Sequence, residues 1–153
     1  MNLKGGVMIP AFIDPHSHFT QTAYSFLQAD LNGLTDINQI ASKIKEFINE
    51  NNIKAGEWVI ARGYDNNLFD GKQNPSLCEL DDAVPDNPLV IQHKSGHMGL
   101  FNSKALKALG VTESTECPQG GKIEIKGGKL TGYMEENAFF EYLKKHPSRQ
   151  RTK

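Results

Sequence analysis

The clearest pattern along the chain is an apolar stripe at helical spacing. In TDINQIASKIKEFINENN, residues 35–52, Ile37, Ile40, Ala41, Ile44, Phe47 and Ile48 recur every three or four positions. Lys43, Lys45, Glu46 and Glu50 lie mostly off the stripe. Thr35 or Asp36 can cap this helix, with Gln39 completing a capping box or sitting in the first turn. Short apolar runs follow, rich in β-branched residues and bounded by glycine or proline, and they read as strands. One covers Glu57 to Arg62 and stops at Gly63; another covers Leu89 to His93. GGKIEIKGGKLTGY, residues 120–133, reads as a hairpin turning at Gly127 and Gly128.

Smaller helices fit between these runs. Leu77, Leu80 and Ala83 form one, with Pro75 suited to its first turn. NSKALKALG, residues 102–110, forms another, capped by Asn102 or Ser103 and ended by Gly110. MEENAFFEYLKKH, residues 134–146, closes as a helix before a basic tail. Near the start, Val7 to Ile13 reads as a strand buried on both faces, although Pro10 cannot donate to a ladder. The pattern therefore predicts a mixed α/β fold.

Composition narrows the function classes. The chain has 153 residues and a formal net charge of -1, so no charge excess points to nucleic acid or an anionic membrane. No apolar run is long enough to span a bilayer. Cys78 and Cys117 lack the spacing of a thiolate metal site and read as reduced thiols, which suits a cytoplasmic protein.

The chemistry-bearing stretch is AFIDPHSHF, residues 11–19. In a strand, residues two apart point to the same face, so His16 and His18 can close on one cation. Imidazole suits zinc and other borderline metals, and Asp14 could orient a ligand. A bare His-x-His is otherwise an ordinary pair of surface or capping histidines. Arg62 and Tyr64 end a strand beside a long loop, where they either line a pocket or are simply solvated. His93 falls inside a strand and reads as a packed or surface histidine. Trp58, Phe139 and Phe140 read as core.

VMIPAFIDPHSHF resembles the first-strand signature of the amidohydrolase superfamily, Pro-Gly-Phe-Ile-Asp-x-His-x-His, with Ala11 in place of the usual glycine. RGYDNNLF, LDDAVPDNPLVIQHKSGHMGLFNSKALKALGV and GGKIEIKGGKLTGYMEENA resemble, in order and spacing, the branch containing N-substituted formamide deformylase. The resemblance runs from about Val7 to Ala138. It implies a metal-dependent hydrolase acting on a carbon–nitrogen bond other than a peptide bond, with a metal-activated water, on a TIM-like barrel. His16 and His18 match its first-strand metal ligands. Glu136 matches an acidic position that binds or bridges metal, although a glutamate facing the helix dipole accounts for it equally well. His97 matches a histidine placed to face substrate. The implied cofactor is a divalent metal, zinc by ligand type, and the implied substrate is a small amide or N-substituted formamide.

A complete barrel of this kind takes about 250 residues. The chain is therefore expected to be an N-terminal piece. Residues 1–35 would hold the first barrel strand and the metal motif, residues 36–132 an inserted α/β subdomain, and residues 133–153 the entry to the next barrel element. Self-association over exposed barrel surface is expected. The alternative is a catalytically inactive α/β fragment with a structural or oligomerising role.

Overall fold

The computed structural model describes residue 2, residues 4–11 and residues 18–145, the side chain of residue 21 excepted. One six-stranded mixed sheet organises the molecule, in the order β1-β2-β3-β4-β6-β5. The strands are β1 Ala29–Asp30, β2 Val59–Tyr64, β3 Leu89–His93, β4 Met98–Phe101, β5 Gly121–Lys126 and β6 Lys129–Glu135. β1, β2 and β3 run parallel; β4 pairs antiparallel with β3 and with β6, and β5 is antiparallel to β6. It follows that β1, β2, β3 and β6 all point the same way. Their C-terminal ends share one edge of the sheet, where α/β folds generally place ligands. The sheet also crosses both expected segment boundaries, since β1 precedes residue 36 and β6 passes residue 132.

The described residues form five α-helices: α1 Phe19–Ser25, α2 Ile37–Glu50, α3 Leu77–Ala83, α4 Ser103–Leu109 and α5 Glu136–Lys145; α2 to α5 pack against the sheet, and Phe19 and Tyr24 of α1 stand exposed. The alternation of side chains along each strand divides the core. Leu89 and Ile91 of β3 join Ile40 and Ile44 of α2, Val59 and Ala61 of β2, and Leu80 of α3. Val90, between them, joins Phe101, Leu106 of α4, Met134, and Phe139 and Tyr142 of α5 on the other face. β3 is thus buried on both sides, which explains its continuous apolar run. The two crossovers between consecutive parallel strands, α2 and α3, cover the same face.

The predicted caps form, with one change. Asp36 accepts from Gln39 N, and the Gln39 side chain reaches back to Thr35 N at 3.0 Å. α3 is capped by Ser76, which exchanges bonds with Glu79 in a full capping box, so Pro75 stands outside the helix rather than in its first turn. Asn102 does more than cap α4. Fully buried, it accepts from Leu89 N and Ala105 N and donates to Val84 O and Asn87 O. It ties α3, β3 and α4 together at the end of the sheet away from the candidate site. Gly127 and Gly128 both take positive φ in the β5–β6 turn, as the hairpin requires.

The expected N-terminal strand is not formed over residues 7–11. Val7 is 87% exposed and Met8 and Ile9 are similarly open. An extended apolar run becomes a strand only beside another strand, and none of the named strands pairs with this segment. Residues 12 and 13 of the expected strand lie outside the described residues.

Candidate functional site

The C-terminal edge of β1, β2, β3 and β6 collects most of the chemistry-bearing side chains. At the end of β2, Gly63 takes φ +86 and leaves room for Asn32, whose amide would lie 2.6 Å from any Cβ there. Asn32 is held in turn by Asp30, which accepts from both its backbone and side-chain N–H. Parallel pairing sets Tyr64 beside His93, and the two rings meet edge-on at 5.2 Å.

His93 is 6% exposed and Asp65 is 5% exposed. The backbone N–H of Ser95 donates to His93 Nδ1 at 3.1 Å, and the Ser95 hydroxyl lies 2.9 Å from the same nitrogen. Nδ1 is therefore the bare nitrogen of a neutral ring and Nε2 carries the proton. Nε2 faces Asp65 Oδ1 at 3.5 Å, an electrostatic contact too long for a hydrogen bond. Burial pushes the His93 pKa down, more than the nearby Asp65 carboxylate raises it. Asp65 is held well below the usual carboxylate range, chiefly by Lys94 Nζ at 2.5 Å and further by Asn67, which donates from its backbone and its amide. Burial of Asp65 opposes the shift but does not overcome it.

The turn from β3 to β4 carries the chain from this buried pair to an exposed one. Lys94 N donates to Tyr64 O and Gly96 N donates to His93 O, both at 2.9 Å. His97 N then donates to Ser95 Oγ at 3.3 Å. Across the edge, β6 passes into α5 without a loop, and Glu136 takes φ +51 at the junction. Non-glycine residues pay for that conformation, so something must hold it. Glu136 N donates to His97 O at 2.8 Å, and Glu136 Oε2 lies 3.1 Å from His97 Nδ1. Phe140, one turn along α5, meets the His97 ring edge-on at 5.7 Å. His97 is 62% exposed and Glu136 52%.

The structure thus brings together His97 and Glu136 of the expected site residues. His18 precedes α1 and lines a cleft of about 1050 Å³ along with Arg62, Gln92, His93 and Gly96. His97 and Glu136 do not line that cleft. His16 lies outside the described residues, and with it the geometry of the paired imidazoles. Among the described residues no three His, Cys, Asp or Glu side chains gather as a cation site. Cys78 and Cys117 are free and exposed. Among the described residues, no helix is long and apolar enough to cross a membrane.

Of the two residues left between pocket lining and solvation, Arg62 lines the cleft and Tyr64 is buried in the core, and the sequence reading missed the Asp65–His93–Lys94 cluster. The residue types stand in the sequence, but their meeting depends on how the two strands pair. Two strands ending in YD and HK, paired in parallel, must set those residues side by side.

The sequence profile described as "Amidohydrolase family" matches residues 1–152. The chain belongs to the amidohydrolase family. Its relatives include Protein LONG AFTER FAR-RED 3 of Arabidopsis thaliana, 34% identical over 90% of this chain and 23% of that one. N-substituted formamide deformylase of Arthrobacter pascens is 31% identical over 90% of this chain and 26% of its own length. The chain therefore spans about a quarter of the curated relatives it matches. Among solved structures, an uncharacterized metal-dependent hydrolase from Pyrococcus horikoshii OT3 superposes with a TM-score of 0.60 at 25% identity, over 88% of this chain and 24% of that one. This amidohydrolase chain accordingly has the mixed α/β fold expected from its pattern.

Proposed function

We propose that this chain is part of a metal-dependent amidohydrolase that cleaves a non-peptide carbon–nitrogen bond in a small amide or N-substituted formamide. One observation carries the proposal: His97 and Glu136, far apart in sequence, converge at 3.1 Å on the sheet edge where four codirectional strands end. The strained backbone of Glu136 supports a functional role for that carboxylate. The substrate class rests on the deformylase relative. The barrel setting rests on β1, β2 and β3 running parallel in sequence order with both crossover helices on one face.

The donors fit a zinc-class cation in chemistry. Imidazole nitrogen and carboxylate oxygen are the donor types that zinc takes. His16, His18 and Glu136 would hold the ion, and His97, hydrogen-bonded to Glu136, would face the substrate. When bound, such a cation polarises a carbonyl and makes water nucleophilic at neutral pH. The chain's own residues supply the rest. Glu136 fixes the His97 ring through Nδ1, and the exposed imidazole is placed to accept or return a proton. Phe19, Tyr24 and Leu143 give the neighbouring cleft an apolar wall for the body of a substrate.

Equilibrium dialysis against Zn²⁺ tests this reading. The chain should retain zinc at about one ion per molecule, and the His16→Ala/His18→Ala and Glu136→Gln variants should each lose most of it. Equal retention in all three would remove the metal site. Hydrolysis of an N-substituted formamide, compared with that by a full-length relative, separates a competent chain from the alternative, an inactive α/β module. That alternative draws support from the quarter-length match alone.

A further inference from the structure

The cleft beside His18 carries a charge pattern that the hydrolytic step does not use. Among the described residues, Arg62, Lys94 and Lys144 line it with His18 and His93, and no aspartate or glutamate does. The chain as a whole has 17 basic residues against 18 acidic ones, so this lining departs from composition.

Arg62 is the centre of the pattern. Its side chain is 35% exposed at the C-terminal end of β2. A guanidinium offers five N–H donors. Among the described residues only one reaches an acceptor: Nη2 donates to Asp30 Oδ2 at 3.3 Å, a long contact. Nε is shielded from solvent and has no hydrogen-bond partner. Asp30 is a divided partner, since its other oxygen takes both donors of Asn32. Lys94 is already matched by Asp65. Arg62 is thus a charged fork with spare donors beside a cleft whose described lining has no carboxylates, which is the chemistry that takes a planar oxyanion. Phe19, Tyr24, Leu27, Ile60 and Leu143 supply apolar surface in the same cleft.

We infer that this cleft binds an organic acid, its carboxylate on Arg62 and its apolar body against the aromatic and aliphatic wall. The inference deepens the proposed function, because it rests on this cleft being the substrate site and names an anionic class of substrate for it.

The test is a binding titration of the 153-residue chain with benzoate, benzamide as its neutral counterpart and phenyl phosphate as the other oxyanion, read by the amide shifts of Gly63 and Lys94. It requires neither metal nor turnover. Failure to bind therefore leaves the hydrolase reading standing, and failure to hydrolyse leaves this one. Benzoate should bind saturably and about tenfold more tightly than benzamide. Arg62→Gln should remove that preference, and Lys107→Gln, outside the cleft, should leave it unchanged. Lys144→Gln, at an exposed position of α5, should weaken benzoate by about twofold to threefold and carries the comparison if Arg62→Gln does not fold. Benzamide binding as tightly as benzoate, or equal losses in the Lys107 variant and the cleft variants, would overturn the inference. Phenyl phosphate binding more tightly than benzoate would overturn its carboxylate assignment.

Discussion

Two histidine–carboxylate pairs have their histidines four residues apart across the same turn, and their surroundings give them opposite roles. His93 and Asp65 are sealed beneath the β2–β3 edge, with Tyr64 against the ring and Lys94 over the carboxylate. His97 and Glu136 stand in solvent, one on a tight turn and the other at a strained strand–helix junction. The buried pair is committed to neighbours inside the fold, so it shapes the turn. The exposed pair is joined by one hydrogen bond between half-open side chains, a contact of little worth to stability. Its donors remain accessible to a ligand. Residue type alone therefore says little about a histidine; burial and the partners of each ring nitrogen decide what it can do.

The comparison is broken most directly at His93. His93→Ala empties a buried site and strips Ser95 N of its acceptor, so urea unfolding should show a loss of about 2–3 kcal/mol. A loss below about 0.5 kcal/mol would mean that the buried pair is not structural. Next comes the pH dependence. His93 has its pKa lowered below 6.5 in the fold, so the folded state binds fewer protons than the unfolded chain. Its contribution is complete above pH 6.5 and is lost as pH falls through the folded value. Asp65 acts with the same sign lower down: its contribution is complete above 3.8 and is lost as pH falls toward its depressed value. Stability should therefore decline on acidification in two stages. His93→Gln should flatten the stage beginning near 6.5, and Asp65→Asn the stage beginning near 3.8. Unchanged profiles in both variants would contradict the assignment.

The exposed pair predicts smaller and inverted effects. Glu136→Gly relieves the φ of +51 and should raise stability by about 0.5–1 kcal/mol while weakening zinc binding. A destabilised variant would show that Glu136 serves the fold rather than a ligand. Smallest of all, His97→Ala should change stability by less than about 0.5 kcal/mol and still lower zinc affinity by about tenfold, measured by competition with a chelator.

Much of this architecture was legible because periodicity reports burial. The α2 stripe and the both-sides-buried run of β3 appear where the pattern put them, and the Gly127–Gly128 turn closes its hairpin. Less legible were elements that depend on partners. β1 is two residues long and exists only because Ala29 and Asp30 pair with Ala61 and Arg62. Val7 to Ile9 has the composition of a buried strand and stands exposed, because composition cannot supply a neighbouring strand. β4, MGLF, is short and carries a glycine under Phe139, which hides it from any strand pattern. For the site, Glu136 and His97 were nameable from family resemblance, but their contact depends on β4 and β6 lying side by side, and the positive φ of Glu136 has no signal in residue type. The Asp65–His93 pairing needed parallel register, which one strand alone does not disclose.

The most direct measurement follows the imidazole nitrogens of both histidines by NMR during a Zn²⁺ titration. His97 should shift and saturate near one equivalent, while His93 keeps the spectrum of a neutral ring protonated at Nε2. Movement of His93 with the metal, or no movement of His97 at all, would contradict the division between a buried pair that builds the turn and an exposed pair that serves the ion.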